Sequence, residues 1–255
     1  MVALIVDHEH LGPSEARWDA AGHREQLASF GPIEARRLVV VSPHPDDEVL
    51  GAGGLIQAAL SQNVLVEVVA VTDGEASHPR STAATTIDLA RTRSDESRVA
   101  LSRLGWREPL ITRLHLPDGS VLAHRDQLDR ALAGILLADD LCVAPWRRDG
   151  HPDHDACGES ALAASRAVGA RMLEYLVWAW HWADPEGFDI PWRQCRRLDL
   201  TRRARAHKRW ATAAFESQTR PLGPGLEDAA ILPAPLMRRF WRSYEVYVDE
   251  MASTR

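Results

Sequence analysis

Residues 39–50, VVVSPHPDDEVL, contain the strand-to-helix transition around which the rest of the chain is organised. Three consecutive valines are typical of a buried strand. Pro43 and Pro45 keep the residues before them extended, so a helix cannot begin until after His44. The acidic triplet that follows suits the positive end of a new helix. The stretch therefore predicts a strand that presents one imidazole and three carboxyl groups at its carboxyl end, where open α/β sheets bind ligands.

The spacing of His44 and Asp47 predicts a metal site. The two residues are close enough in the chain to bind one ion together. Imidazole and carboxylate ligands suit zinc, and such sites also bind iron or manganese. Asp46 should point elsewhere, which leaves a free carboxylate beside the ion. An isolated His-x-x-Asp segment is more often a capped helix start with solvated acidic groups, so this motif alone does not decide the function.

A second cluster, HPDHD at residues 151–155, favours the metal site over the capped helix start. It follows another apolar run, residues 141–145, and opens a second predicted helix. His151 and His154 repeat the spacing of the first motif. Two strand ends that are each followed by a His-Pro-Asp segment favour one shared site over two unrelated helix caps.

The two clusters together contain the groups that a catalytic zinc site needs. Such a site has three protein ligands and one open position for water. The predicted ligands are His44, Asp47 and His154. Asp46 is then available as a general base and His151 as an electrophile, and Asp153 is expected to orient His151.

The paired motifs at residues 43–48 and 151–154 resemble those of the PIG-L/LmbE-like zinc-dependent N-deacetylases. Weaker similarities to the same family occur in three further segments: residues 71–75, 93–105 and 116–119. The resemblance covers about residues 36–220. It implies an LmbE-like fold and hydrolysis of an N-acyl group, with N-acetyl on an amino sugar as the expected substrate group.

Alternating strand and helix patterns predict the fold class. They indicate an α/β protein, a Rossmann-like three-layer sandwich with a mostly parallel sheet. Residues 36–255 are expected to form a single deacetylase domain, and residues 1–35 an N-terminal arm. The arm lies outside the family motifs, and it either packs over the sheet edge or joins an oligomer interface.

The resemblance also implies a cofactor and a partner. The cofactor is Zn²⁺, or another divalent metal such as Fe²⁺ in the cell, and the partner is a small N-acetylated glycoside or glycoconjugate. By the family pattern, Arg93 and Asp118 bind sugar hydroxyls. Relatives in the mycothiol pathway carry a tyrosine shortly before the second motif, whereas this chain has WRRDG at residues 146–150. That arginine-rich turn suits an anionic or larger substrate.

Two other functions are compatible with the same motifs. An amidase would use the same metal on a non-sugar N-acyl compound such as a thiol conjugate. A Rossmann-like binding module would keep the site without catalysing a reaction, although the complete set of ligands, base and electrophile favours an enzyme. The sequence leaves the acyl length, the native metal and the oligomeric state open, and a homo-oligomer is one alternative.

Composition narrows the class of protein. The chain has 255 residues, 45% of them hydrophobic, enough for one sizeable α/β domain. Its formal net charge of -6 gives no basic footprint for nucleic acid. No run approaches the ~18 apolar residues of a transmembrane segment, and no signal-peptide pattern opens the chain. Three cysteines without zinc-finger spacing suit a reducing cytoplasm.

Two local patterns each allow two interpretations. Three tryptophans alternate with other residues along 178–182, which indicates either a half-buried strand or an aromatic wall for a sugar or lipid. Residues 201–217 form a predicted basic helix, whose charges indicate a solvated face more often than a binding surface.

Overall fold

A computed structural model describes residues 12–249 of the chain. Residues 1–11 of the predicted arm and residues 250–255 of the predicted deacetylase domain lie outside the described residues. Within the described part, eight strands form one sheet. The strands are β1 (Ala28–Ser29), β2 (Arg37–Ser42), β3 (Leu65–Ala70), β4 (Ile111–Arg113), β5 (Asp140–Pro145), β6 (Arg171–Tyr175), β7 (Cys195–Asp199) and β8 (Tyr244–Val248).

The strands are ordered β1-β7-β8-β6-β5-β2-β3-β4 across the sheet. β8 runs antiparallel to both of its neighbours, β6 and β7. The other neighbouring strands pair in parallel. The predicted mostly parallel sheet is therefore confirmed.

Ten α-helices connect or flank these strands between residues 12 and 249. They are α1 (Glu15–Ala20), α2 (His23–Gln26), α3 (Asp47–Ser61), α4 (Thr86–Arg103), α5 (Arg125–Ile135), α6 (Pro152–Val168), α7 (Ala179–Trp182), α8 (Arg202–Thr212), α9 (Glu216–Thr219) and α10 (Ala234–Met237). Short 3₁₀ segments occupy Val121–His124, Trp192–Gln194, Leu226–Asp228 and Arg238–Trp241. Thr85 begins α4 with a capping box, which satisfies N–H groups that the first helical turn leaves free.

Helices cover both faces of the sheet. Successive residues of a strand point to opposite faces, so each strand contributes side chains to both helix layers. On β2, Val39 and Val41 belong to a core cluster with residues of α5 and α6. Leu38 and Val40 belong to a second cluster with residues of α3 and α4. All four side chains are fully buried. The predicted three-layer sandwich is confirmed.

The order of the strands creates a crevice beside β2. This strand pairs with β3 on one side and with β5 on the other. The chain leaves β2 through α3 toward β3 and later returns to β5, so the direction of strand addition reverses between β2 and β5. Ligands of open α/β sheets bind at such a switch point, outside the carboxyl ends of the strands. The two His-Pro-Asp segments follow these two strands.

The structure corrects the prediction for the tryptophan-rich segment. A half-buried strand was one interpretation of residues 178–182, but β6 ends at Tyr175 and α7 begins at Ala179. The backbone N–H groups of residues 177–179 donate to the side chain of Asp149. They are therefore unavailable to continue the sheet, and the strand ends.

The described part of the N-terminal arm packs against the main core. Ser14 caps α1, and Trp18 is only 4% exposed within the larger core cluster. β1 adds to the sheet beside β7. Among residues 12–249, no helix combines the length and apolar character of a membrane-spanning segment.

Candidate metal centre

The first motif forms a strained turn at the end of β2. Asp46 has a φ of 150°, outside the regions that non-glycine residues normally occupy. Its backbone N–H donates to Glu48 Oε2 at 3.0 Å. The hydroxyls of Ser42 and Ser97 donate to the same carboxylate at 2.8 and 2.5 Å. The buried Glu48 therefore holds the turn that presents Asp46.

The second motif begins α6 with His151 as its N-cap. The backbone N–H of Asp153 donates to His151 Nδ1 at 3.2 Å. Because Nδ1 is an acceptor, a neutral His151 carries its proton on Nε2. Burial, with help from the neighbouring His44 and His154, lowers the pKa of His151 to about 3. The ring is thus a neutral N–H donor.

The three predicted metal ligands converge between the two motifs. Ligand atoms of His44, Asp47 and His154 all lie within 4.8 Å of one another, and all three residues are buried. Asp47 Oδ2 is 3.2 Å from His44 Nδ1 and 3.2 Å from His154 Nε2. His154 Nε2 makes no hydrogen bond with any residue between 12 and 249, despite that short distance. A buried nitrogen without a hydrogen-bond partner points toward a ligand.

The charges around these atoms fit a divalent cation. Burial opposes ionisation of Asp47, yet His154 and His44 hold the pKa of its carboxyl well below the usual range. Burial lowers the pKa of His154, but Asp47 and Asp149 outweigh it and raise that pKa to about 9. Two imidazoles and one carboxylate form a donor set that zinc and iron both accept. The residues present therefore fit the predicted metal.

Sequence reasoning missed the role of Asp149, which precedes the second motif. Its fully buried carboxylate accepts the backbone N–H groups of Val177, Trp178 and Ala179 at 3.0, 2.9 and 2.9 Å. His154 Nδ1 lies 2.8 Å from the same carboxylate. The available signal was an acidic residue just before a His-x-x-His segment, which is too common to be specific.

The Asp153 side chain makes no hydrogen bond to His151, the residue that it was predicted to orient. Its carboxylate lies 3.2 Å from His44 Nε2 and accepts the backbone N–H groups of Gly119 and Val121. Its hydrogen bond to His151 comes from the backbone N–H. The expected Asp153–His151 side-chain pair is replaced by an Asp153–His44 pair. His44, His151 and Asp153 also form a second group within 4.8 Å, which overlaps the first.

The two residues predicted to bind sugar hydroxyls are largely occupied within the protein. Arg93 Nη2 donates to Asp46 Oδ2 at 3.0 Å, and Nη1 donates to the backbone oxygen of Gly74 at 2.8 Å. Asp118 Oδ1 lies 3.2 Å from His44 Nε2, and Oδ2 accepts an N–H from the backbone of Ala76. Both residues line the cavity beside the motifs, but their first contacts are with the predicted base and ligand.

Asp46 faces Arg93 in a buried position, as a proton-transfer group would. Burial raises the pKa of Asp46 to about 8, and Arg93 opposes that rise. A carboxyl group whose pKa lies near neutrality can both accept and release a proton. Asp46 therefore has an environment that suits the predicted base.

A cavity of about 290 Å³ opens directly onto these groups. One part of its wall is polar: His44, Asp46, Asp47, Arg93, Asp118 and His151. Another part is apolar: Leu50, Val177, Trp178, Ile231 and Leu232. The ring of Trp178 stacks on His151 with centroids 6.2 Å apart. Trp178 thus lines the cavity, whereas Trp180 packs on Trp18 in the core.

None of residues 146–150, the arginine-rich turn before the second motif, lines this cavity. The buried Trp146 stacks on Trp182 with centroids 6.4 Å apart. Arg147 Nη1 lies 3.2 Å from the carboxylate of Glu174 on β6. The prediction that this turn suits an anionic or larger substrate finds no support in these contacts.

Comparison with known proteins places the motifs in a family. Residues 39–165 match the family model described as "PIG-L: GlcNAc-PI de-N-acetylase". A probable N-acetyl-alpha-D-glucosaminyl L-malate deacetylase 2 from Bacillus subtilis (strain 168) is 31% identical over 144 residues. That alignment covers 50% of this chain and 59% of the relative, so the chain spans little more than half the length of that protein.

Solved structures with the same fold include both a deacetylase and an enzyme of another class. A deacetylase of the teicoplanin biosynthesis pathway has a TM-score of 0.66 at 19% identity, covering 83% of this chain and 96% of that one. The 4-carboxy-2-hydroxymuconate hydratase GalB from Pseudomonas putida KT2440 has a TM-score of 0.55 at 21% identity, covering 80% and 82%. At these identities the likeness establishes the fold, and the site residues must decide the chemistry.

Proposed function

Residues 39–165 of this chain belong to the PIG-L family, and on that premise we propose that the protein is a metal-dependent N-deacetylase. Its substrate is a small glycoside or glycoconjugate that carries an N-acetylated amino sugar. The similar B. subtilis protein, whose name specifies an N-acetylglucosaminyl compound, supports that substrate class. The products are acetate and the free amino sugar.

One observation carries this proposal. The ligand atoms of His44, Asp47 and His154 converge within 4.8 Å beside a cavity, and His154 Nε2 is buried without a hydrogen bond to the described residues. These three residues would hold the metal, with Zn²⁺ or Fe²⁺ as the ion. A metal held there supplies Lewis acidity, which makes water a stronger acid and an amide carbonyl more electrophilic.

The residues around that position have complementary tasks in amide hydrolysis. Asp46 accepts the proton of the attacking water and later delivers it to the leaving amine. Arg93 holds the Asp46 carboxylate at 3.0 Å and so limits its orientation. His151 donates its Nε2–H to the oxygen of the carbonyl as negative charge develops there. Trp178 excludes water from one face of His151.

The proposal is tested with purified full-length protein loaded with Zn²⁺ or with Fe²⁺. Release of acetate and of a free amine is followed by mass spectrometry on N-acetylglucosamine glycosides and N-acetylated glycolipids. We expect metal-dependent turnover that Asp46→Asn greatly reduces and that His115→Ala preserves, because His115 is exposed and pairs with Asp73. Turnover that survives complete metal removal would contradict a metal-dependent reaction.

A second candidate is an amidase that acts on a non-sugar N-acyl compound. The apolar part of the cavity wall, which includes Ile231 and Leu232, favours a substrate with an apolar group near the amide. N-acyl cysteine conjugates therefore belong in the same screen. Hydrolysis of those conjugates without hydrolysis of any N-acetylated sugar would establish this second candidate and reject the first.

A further inference from the structure

Each predicted imidazole ligand has a carboxylate beside the ring nitrogen that faces away from Asp47. His154 Nδ1 lies 2.8 Å from Asp149 Oδ2, and His44 Nε2 lies 3.2 Å from Asp153 Oδ2. The same His44 nitrogen also lies 3.2 Å from Asp118 Oδ1. The remaining nitrogen of each ring is 3.2 Å from Asp47 Oδ2. Both rings are therefore held between an outer carboxylate and the predicted metal position.

Backbone groups fix the orientation of both outer carboxylates. Asp149 accepts three N–H groups from residues 177–179. Asp153 accepts the N–H groups of Gly119 at 2.8 Å and Val121 at 3.0 Å. Both acidic residues have an exposed fraction of 0%. Neither carboxylate can turn away from its histidine without leaving buried N–H groups unsatisfied, which is costly.

The backbone and the side chain of Asp153 contact different histidines. The backbone N–H donates to His151 Nδ1, whereas the carboxylate reaches His44 Nε2. A substitution at position 153 changes the side chain and leaves the backbone N–H in place. The effects of Asp153 on the two histidines can therefore be separated by mutation.

On the premise of the proposed metal site, we propose that Asp153 is a positioning residue for His44 and Asp149 a positioning residue for His154. Each carboxylate accepts the ring N–H, which sets the tautomer and the ring plane and makes the opposite nitrogen a stronger metal ligand. The Asp153 carboxylate therefore serves metal binding and does not orient His151.

The dissociation constant for Zn²⁺, measured by competition with a chromophoric chelator, tests this assignment on the full chain. Asp153→Asn and Asp149→Asn should each weaken metal affinity by about 10-fold to 100-fold. His151→Ala should bind metal as the wild type does. Asp155→Asn is the matched control, because Asp155 lies in the same helical turn and accepts an N–H from the backbone of Gly150. Its metal affinity should also be unchanged.

The geometry of the bound metal provides a second readout. Co²⁺ absorption spectra should shift in Asp153→Asn and should match the wild type in Asp155→Asn. In the double variant Asp153→Asn/His151→Ala, the affinity loss should equal that of Asp153→Asn alone. Thermal melting of each variant identifies any change that comes from unfolding, and only variants that melt above the assay temperature are compared.

Two results would overturn the inference in distinguishable ways. If Asp153→Asn binds Zn²⁺ like the wild type but loses as much turnover as His151→Ala, its carboxylate acts on His151 and the assignment to His44 is wrong. If the wild-type protein itself binds no divalent metal, the proposed function fails and this inference fails with it.

Discussion

The helix α3 meets two clusters of buried charge, and only one has the geometry of a binding site. At its start, Asp46 and Asp47 border a cavity of about 290 Å³, and His154 Nε2 beside them has no hydrogen bond within residues 12–249. Along its middle, Glu245 and Lys208 are equally buried, but the neighbouring cavity has only about 20 Å³.

The charges in the middle cluster satisfy one another. Lys208 Nζ donates to Glu245 Oε1 at 2.5 Å and to the backbone oxygen of Leu50 at 2.8 Å. Glu245 also accepts from three further groups: the N–H of Gly54, the N–H of Leu55 and the hydroxyl of Tyr247. A Cβ atom on Gly54 would lie 2.7 Å from Glu245 Oε2, so a glycine is needed for this approach. Lys208 is therefore a buried exception to the solvated face that was the favoured interpretation of the basic helix.

The middle cluster serves stability, whereas the cluster at the start of α3 has the features of a binding site. A buried ion pair whose donors and acceptors all have partners holds neighbouring elements together but has no capacity for a ligand. The cluster at the start of α3 instead combines a strained backbone at Asp46, a nitrogen without a hydrogen bond on His154 and adjoining empty volume. Burial of charge alone therefore does not identify the site.

Removal of a predicted ligand should give the largest effect. His154→Ala should reduce metal affinity and turnover by more than about 100-fold, since loss of an outer carboxylate alone costs up to that much. Metal content after dialysis and acetate release measure the two losses. His115→Ala, a change at an exposed histidine, should alter neither quantity. Equal metal content in both variants would refute the ligand assignment.

Removal of the predicted base, at the start of α3, should lower turnover without lowering metal affinity. Asp46→Asn should retain metal and lose about 100-fold to 10,000-fold in kcat, because an amide cannot accept the proton of water. Metal analysis and steady-state kinetics on one preparation check both parts. If Asp46→Asn loses metal as completely as Asp47→Asn, Asp46 is a ligand and its predicted role as the base is wrong.

A substitution in the middle cluster should lower the free energy of unfolding and leave metal affinity unchanged. Lys208→Met keeps the volume of the side chain but leaves Glu245 as an unpaired buried charge, so the free energy of unfolding should fall by about 3–5 kcal/mol. Urea denaturation gives that value, and the folded variant should bind Zn²⁺ with wild-type affinity. As a control, Arg220→Met removes an exposed ion pair with Glu216 and should cost about 0–1 kcal/mol. A Lys208→Met variant with normal stability and weakened metal binding would reverse the comparison.

The smallest expected effect is on the pH dependence of stability, through Asp155 at the edge of the metal cluster. Burial raises the pKa of Asp155 to about 6 from its usual value of 3.8. The folded protein therefore holds this proton more tightly than the unfolded chain, and stability falls as pH rises from about 4 to about 6. Asp155→Asn should remove that fall and be more stable at pH 7 by at most about 1 kcal/mol, after allowance for solvent screening. Identical pH–stability curves for the variant and the wild type would contradict the shift.

Local patterns were sufficient to predict the elements that carry the site. The valines of β2, the prolines around His44 and the acidic start of α3 specify a strand, a turn and a helix through contacts between near neighbours in the chain. The same holds for β5, Pro152 and α6. Parallel neighbours end at one sheet edge, which is why two short motifs were enough to predict His44, Asp47 and His154 as one group.

Only the tertiary structure decided which groups each of these side chains contacts. Asp153 and His44 are 109 residues apart in the chain, and their pairing depends on how β2 and β5 align in the sheet. The association of Arg93 with Asp46 depends on the packing of α4 against the first turn. Spacing within a motif cannot specify such contacts, because they arise from the position of one element against another. For the same reason Asp149 could be recognised only after the chain around residues 177–179 had folded onto it.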